Sequence, residues 1–211
     1  NIEMMKFIGD AFSDRFRITI LDFPGFGESE EPSVPWQIQD YSLLIEELVN
    51  RVNIKKPIIM GHSFGGRVAI HYSSHHPIEK LILFGSPCVR LQKSLPLSTR
   101  ILKKLKKLPG MNEFGERMKN YIGSRDYKAA SPIMRQTLVY VVNEDLSEFA
   151  KKIEEPTLLI WGEQDTEAPI EEAKILENLL YDGALIVLPG THYAYIENLS
   201  RVVTIINNFI S

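Results

Sequence analysis

The chain has 211 residues, of which 44% are hydrophobic and 24% are charged, and its formal net charge is −3. This is the composition of a globular protein with one sizeable core. A membrane-spanning helix needs about 18 consecutive apolar residues, and no apolar run in the sequence is that long. A membrane protein is therefore disfavoured. A single cysteine, Cys88, excludes a disulfide framework and fits a reducing compartment, so we expect a cytoplasmic protein.

Strand-like and helix-like segments alternate along most of the chain. Short apolar runs predict strands at 15–23, 56–62, 79–87, 156–162 and 184–190, and amphipathic spacing predicts helices at 1–14, 40–53, 63–75, 170–180 and 194–210. This alternation is typical of an α/β fold with a mostly parallel, doubly wound sheet. The pattern breaks after the third predicted strand, which indicates an insertion there.

The inserted stretch also carries an unusual charge. Residues 90–135 contain twelve Lys and Arg against three Asp and Glu, whereas the rest of the chain contains twelve against twenty-four. We therefore predict three parts: residues 1–87 as the first part of the core, 88–150 as a helical lid, and 151–211 as the second part of the core.

Within the lid, "STRILKKLKKL" at 98–108 predicts an amphipathic helix with lysines around its apolar side. Solvated lysines are the simplest interpretation. An anionic substrate or an anionic membrane surface stay open as alternatives. Nucleic acid is disfavoured because no interleaved aromatic residues or recognition motif accompany the lysines.

The segment "GHSFGG", from Gly61 to Gly66, joins the second predicted strand to a predicted helix. In this context G-x-S-x-G is the nucleophile elbow, a sharp turn that exposes a serine at the carboxyl end of a strand. Ser63 is therefore the candidate nucleophile. We expect side chains at Gly61 and Gly65 to collide with their surroundings in so tight a turn. The backbone N–H of Phe64 is a candidate donor to an oxyanion.

A serine nucleophile needs a base and a group that orients the base. His62 adjoins Ser63 on an extended strand end, where neighbouring side chains point apart, and three further histidines lie on the helix that leads away from the elbow: His71, His75 and His76. His192 follows the last predicted strand and is therefore the candidate base. Asp165 follows the strand before it and is the candidate orienting acid, with Glu163 and Glu167 as close competitors.

The order Ser63, Asp165, His192 is the one that accompanies the elbow motif. Four segments together resemble the α/β-hydrolase superfamily, in particular its small, lidded esterases and carbon–carbon hydrolases: "DFPGFGES" at 22–29, "GHSFGG" at 61–66, "WGEQDTEAP" at 161–169 and "PGTHYAYIEN" at 189–198. The resemblance implies that Ser63 attacks, that His192 acts as general acid and base, and that Asp165 orients it. Glu197 stands where the family often has an acid.

The chain departs from the family at its start. The family's third strand normally lies between the strands that 15–23 and 56–62 resemble, and the loop after it supplies a second oxyanion donor; neither is in this sequence. We expect an upstream segment of roughly 25–35 residues, enough for three strands and their turns. The alternative is a shorter protein that pairs the two flanking strands directly.

The expected function is hydrolysis of a small ester or related acyl substrate through a Ser-His-Asp triad and an acyl-enzyme intermediate, with no metal or cofactor implied. Carbon–carbon bond hydrolysis uses the same triad and stays open. A non-catalytic binding protein of the same fold is the alternative from a different class.

Overall fold

Four parallel strands form the sheet in the computed structural model, which describes residues 1–89 and 130–211. The strands are β1 Ile58–His62, β2 Lys80–Phe84, β3 Thr157–Gly162 and β4 Gly183–Leu188, and their spatial order is β1-β2-β3-β4. One row of paired residues crosses the whole sheet through Gly61, Leu83, Leu159 and Leu185. The predicted fold class, an α/β fold with a parallel sheet and flanking helices, is confirmed.

The helices of the described residues alternate with these strands. They are α1 Ile2–Phe12, α2 Ile38–Arg51, α3 Phe64–Ser73, α4 Pro132–Asn143, α5 Ser147–Ala150, α6 Ile170–Leu179, α7 Ala194–Glu197 and α8 Leu199–Ile210. Helix α2 begins two residues before the predicted start, because the Asp40 carboxylate accepts the backbone N–H of Gln37 at 2.7 Å and so caps an earlier turn. No helix in 1–89 or 130–211 combines the length and apolar character needed to cross a membrane.

Helices cover both faces of the sheet, which explains why its strands read as continuous apolar runs. Side chains alternate along each strand, so Ile82 and Phe84 of β2 face one core and Leu81 and Leu83 face the other. The first core is closed by α1 and α8, and the second is closed mainly by α2, α3 and α6. Because all four strands are parallel, their carboxyl ends lie at one edge of the sheet, where the loops with the candidate site residues begin.

The strand predicted at 15–23 is wrong: residues 17–23 have no regular secondary structure. A strand exists only where a neighbour accepts and donates its backbone hydrogen bonds. Within 1–89 and 130–211, β1 is one of the two edge strands of the sheet and this segment does not pair with it, so direct pairing of the two is not observed either. Instead, residues 17–21 and β1 line a common cleft.

The edge of β1 that faces this cleft presents backbone polar groups. Pro57 accepts the N–H of Glu79, and the Ser63 N–H donates to the Phe84 carbonyl, so these odd-numbered positions face β2. Because backbone groups alternate along a strand, those of Ile58 and Met60 point the other way, toward the cleft. The cleft is thus bordered by a polar backbone edge as well as by apolar side chains.

The predicted lid, 88–150, lies mainly outside the described residues, and so does the whole of its predicted basic helix at 98–108. The described ends of the stretch meet at one place on the core. The Leu146 N–H donates to the Cys88 carbonyl at 3.0 Å. The guanidinium of Arg67, on α3, donates to the carbonyls of both Pro87 and Glu144. The two ends of the predicted lid therefore lie side by side on the core.

Arg67 holds this junction from a buried position, with 4% of its surface exposed. Replacement by methionine keeps the length of the side chain but removes the donor from two backbone carbonyls. We expect Arg67→Met to lower the free energy of unfolding by about 2 kcal/mol, because hydrogen bonds from a charged donor contribute more than neutral ones. Urea denaturation followed by circular dichroism measures the change.

The matched control is Arg51→Met, since Arg51 is 76% exposed and pairs with Glu47 at the surface. Exposed pairs of this kind contribute less than about 1 kcal/mol. Equal unfolding midpoints for the two variants would contradict the role given to Arg67.

Candidate active site

Ser63 occupies a strained turn between β1 and α3. Its backbone has φ 51° and ψ −115°, a region that a residue with a side chain rarely adopts. Its N–H donates to the Phe84 carbonyl of β2 at 3.0 Å, while its own carbonyl accepts the N–H groups of Gly66 and Arg67 in the first turn of α3. Strain of about 1–3 kcal/mol of this kind is typical of functional positions. The geometry fits the nucleophile elbow that the sequence motif predicts.

The glycines around Ser63 do not all have the predicted role. A Cβ at Gly61 would lie 2.6 Å from the Gly65 carbonyl oxygen, which confirms the steric requirement there. The same requirement at Gly65 is wrong, since a Cβ there would meet only a ring carbon of Phe23, at 3.9 Å. The close approach falls instead on Gly66, where a Cβ would overlap the side chain of Ser86. The reason is that Gly66, one position further into the helix, faces the loop after β2.

Asp165 and His192 form a buried pair. His192 Nδ1 lies 2.8 Å from Asp165 Oδ2, and the two side chains are 4% and 0% exposed, respectively. The predicted base and its predicted orienting acid are therefore in direct contact, although 27 positions separate them in the chain. Since Nδ1 faces a carboxylate, the neutral ring carries its proton on Nδ1 and leaves the lone pair of Nε2 free.

The loop after β3 fixes the Asp165 carboxylate. Asp165 Oδ1 accepts the backbone N–H groups of Glu167 at 2.9 Å and Ala168 at 2.8 Å. The indole N–H of Trp161 donates to the Ala168 carbonyl at 2.7 Å and holds the same loop from beneath. With Oδ1 occupied in this way, Oδ2 is the oxygen that remains for His192.

The loop that carries His192 is fixed by Glu197. Its carboxylate accepts the backbone N–H of Thr191 at 2.8 Å and the Thr191 hydroxyl at 2.6 Å. Gly190 permits this approach, since its φ is 129° and a Cβ there would lie 2.0 Å from the Glu197 carboxylate. Glu197 therefore holds the histidine loop in place, and these hydrogen bonds go to Thr191 and not to the imidazole of His192.

The nucleophile and the base border the same cleft but are not hydrogen-bonded to each other. His192 Nε2 is buried and has no hydrogen-bond partner among the described residues. Glu167, 60% exposed, is the nearest recorded carboxylate to this nitrogen, with its Oε2 at 3.7 Å. Catalytic hydrogen bonds are often long before substrate binds. The carboxylates that pair with His192 are those of Asp165 and Glu167, not that of Glu163, the other competitor.

Phe64 is the first residue of α3, so its backbone N–H has no acceptor within the helix. This N–H and the positive end of the helix dipole create a positive potential beside Ser63, which favours a negative charge there. The Phe64 ring packs against Phe26 at 4.4 Å and Tyr41 at 5.0 Å between ring centres. This aromatic cluster fixes the turn that carries the donor.

The cleft beside Ser63 has a volume of about 1190 Å³. Its walls are mainly apolar and come from α1, α2, β1 and the segment 17–27, and Met134 and Leu138 of α4 also contribute. Its ionisable lining differs between the two ends. Glu167 lies beside His192, whereas Lys56 and Glu79 lie at the amino end of β1, where Arg17 donates to the Val52 carbonyl. Glu31, which accepts the Ser131 hydroxyl, also lines the cleft.

Two histidines other than the candidate base, His71 and His62, are both held by contacts with distant residues. His71 is buried against Phe149, and burial lowers its pKa to about 4; it makes no recorded contact with Ser63. His62 does not reach Ser63, as expected, but its Nε2 lies 3.0 Å from the backbone oxygen of His192. No local pattern could have revealed this contact, because 130 positions separate the two residues.

Comparisons with known proteins agree with this architecture. A family model for the alpha/beta hydrolase fold matches residues 2–93, which include the elbow. The AB hydrolase superfamily protein YisY of Bacillus subtilis is 25% identical across 92% of this chain and 81% of its own length. A Klebsiella pneumoniae enzyme, 2-hydroxy-6-oxononadienedioate/2-hydroxy-6-oxononatrienedioate hydrolase, is 22% identical across 93% of this chain and 77% of its own.

Among solved structures, the esterase EaEST from Exiguobacterium antarcticum superposes with a TM-score of 0.76 at 20% identity. The match covers 100% of this chain and 87% of the esterase. Likeness at this level of identity establishes the α/β-hydrolase fold. The family model and the sequence relatives support the α/β-hydrolase superfamily for this chain.

Proposed function

We propose that the protein is a serine hydrolase that cleaves a small, neutral ester or a related acyl compound. Ser63 is the nucleophile, His192 the general base and acid, and Asp165 the group that orients His192. The observation that carries the proposal is the buried Asp165–His192 pair at 2.8 Å beside the cleft that Ser63 borders. A pair of this kind supplies what a serine hydroxyl lacks at neutral pH, a base held in the correct tautomer.

In the proposed reaction, the Ser63 hydroxyl transfers its proton to His192 Nε2 as its oxygen attacks the substrate carbonyl carbon. The resulting oxyanion accepts a hydrogen bond from the Phe64 N–H at the start of α3. The leaving alcohol takes the proton from His192, which leaves an acyl ester on Ser63. Water then attacks this ester, gives one proton to His192, and releases the acid as the proton returns to Ser63.

The lining of the cleft supports a neutral substrate. Among the described residues, the acids that line the cleft are Glu31, Glu79 and Glu167, which repel a carboxylate, and Glu167 lies beside His192. Aromatic and apolar side chains supply the rest of the nearby wall, including Phe23, Phe26 and Met134. These surfaces favour an uncharged acyl group.

A carbon–carbon hydrolase is the second candidate, favoured by the similarity to the Klebsiella hydrolase. The substrate in that enzyme's name is a dicarboxylate, which would have to bind beside the three acids that line the cleft.

We propose further that the stretch 88–150 serves as a lid, since its ends meet at Arg67 and its α4 adds Met134 and Leu138 to the cleft.

A substrate panel tests these proposals. p-Nitrophenyl acetate, butyrate and octanoate represent neutral esters of increasing length, and a 2-hydroxy-6-oxodienoate represents the carbon–carbon reaction. We expect Ser63-dependent turnover of at least the shorter esters and none of the dienoate. Turnover of the dienoate alone would favour the second candidate. Failure of every substrate, together with an unreactive Ser63, would favour a non-catalytic binding protein.

A further inference from the structure

His62 links the two chain segments that carry the proposed nucleophile and base. It is the last residue of β1 and directly precedes Ser63. Its Nε2 lies 3.0 Å from the backbone oxygen of His192. Its ring lies 4.7 Å from that of His192, 4.8 Å from Tyr195 and 5.3 Å from Tyr193, measured between ring centres. The side chain therefore fills the space between the elbow and the histidine loop.

The hydrogen bond between His62 and His192 has a defined direction. A backbone carbonyl can only accept, so His62 Nε2 is the donor and carries a proton. Burial, the largest effect, lowers the pKa of His62 to about 4, and the neighbouring His192 lowers it as well. His62 is thus a neutral donor at neutral pH. It ties the loop without adding a positive charge beside the imidazole that must accept a proton.

We propose that His62 is a positioning residue that sets the separation between the Ser63 hydroxyl and His192 Nε2. This inference rests on the proposed serine hydrolysis. Asp165 fixes the far side of the His192 ring through Nδ1, and Glu197 braces the loop through Thr191. Neither contact connects the His192 loop to β1, the strand that precedes Ser63. The His62 hydrogen bond makes this connection, because His62 and Ser63 are adjacent in the chain.

Two variants separate this hydrogen bond from simple packing. His62→Phe keeps an aromatic ring against Tyr193 and Tyr195 but removes the donor. His62→Gln removes the ring but keeps an N–H donor at a comparable reach. We expect His62→Phe to lower kcat about 10- to 100-fold, since a small displacement of reacting groups has effects of this size. KM should change little, and His62→Gln should recover most of the lost kcat.

His71→Phe is the matched control, because His71 is also a buried histidine with a pKa lowered to about 4 but lies on α3 away from the cleft. It should leave kcat close to that of the wild type. Wild-type kcat in His62→Phe, or equal losses in His62→Phe and His62→Gln, would overturn the inference. Equal losses would mean that His62 acts through the packing of its ring and not through its hydrogen bond to the His192 loop.

A spectroscopic measurement tests whether His62 positions His192 without the need for a substrate. The proton between His192 Nδ1 and Asp165 should give a low-field proton NMR resonance, assigned by its loss in Asp165→Asn. We expect faster exchange and broadening of this resonance in His62→Phe and recovery in His62→Gln. An unchanged resonance in His62→Phe would overturn the inference. Absence of Ser63-dependent turnover in the wild type would instead refute the proposed function and leave the NMR result to judge His62.

Discussion

Ser63→Ala is expected to lower kcat for a p-nitrophenyl ester about 10⁶-fold, the size of the loss when a triad nucleophile is removed. The reason is chemical, since alanine offers no oxygen for acyl transfer and the His192 base then has no proton to accept. Substrate binding should persist, because the apolar cleft is unchanged, so KM should alter much less than kcat. Stopped-flow release of p-nitrophenolate, with purified protein at high concentration, gives the range needed to measure the loss.

The matched control is Ser200→Ala, because Ser200 is an exposed serine on α8, far in sequence from the elbow. This variant should have wild-type kcat. The two variants should also unfold at the same denaturant concentration within error. Turnover by Ser63→Ala close to the wild-type value would contradict the assignment of the nucleophile, whatever the behaviour of the control.

Asp165→Asn is expected to lower kcat about 10⁴-fold, as the corresponding change does in another triad enzyme. The structure supplies a specific reason. Oδ1 of Asp165 accepts two backbone N–H groups, from Glu167 and Ala168, so the amide oxygen of asparagine must take that position. The NH₂ group then faces His192 Nδ1 as a donor. This moves the ring proton to Nε2 and leaves no lone pair to accept the serine proton.

Glu163→Gln and Glu167→Gln are the controls, since these two acids flank Asp165 and compete with it in the sequence. Both should stay within a few-fold of wild-type kcat. Glu167 is the more informative of the two, because its carboxylate lies 3.7 Å from His192 Nε2 but is largely exposed. A larger loss in Glu167→Gln than in Asp165→Asn would transfer the orienting role to Glu167.

The elements predicted best from the sequence are those whose burial is two-sided. The strands β1 to β4 read as nearly continuous apolar runs, because helices cover both faces of the sheet. The elbow was predictable for a related reason. A local motif sets its backbone, and Ser63 has the positive φ that such a sharp turn requires.

The pairing of Asp165 with His192 was predictable because both residues follow strands of one parallel sheet. The carboxyl ends of such strands lie at a common edge, so a topology argument brings together residues that are distant in the chain. The sequence could rank Asp165 above its neighbours only by position. The two N–H bonds to Oδ1 that set it apart from Glu163 and Glu167 depend on the shape of the loop.

Other features depended on contacts that no local pattern encodes. The segment 15–23 has strand-like residues, but strand formation needs a paired neighbour, and β1 does not pair with it. The close approach at Gly66 depends on Ser86, and the His62 hydrogen bond depends on His192. Each of these is set by tertiary packing between distant parts of the chain, which overrides local preference.

The central claim, that Ser63 is a nucleophile activated by His192 and Asp165, is tested most directly by covalent labelling. A fluorophosphonate reacts with an activated serine by forming an oxygen–phosphorus bond as fluoride leaves. After proteolysis, mass spectrometry should find one phosphonylated peptide, the one that contains Ser63 and ends at Arg67, and its yield should fall sharply in Asp165→Asn. An unlabelled protein, or a label on a different serine, would contradict the account.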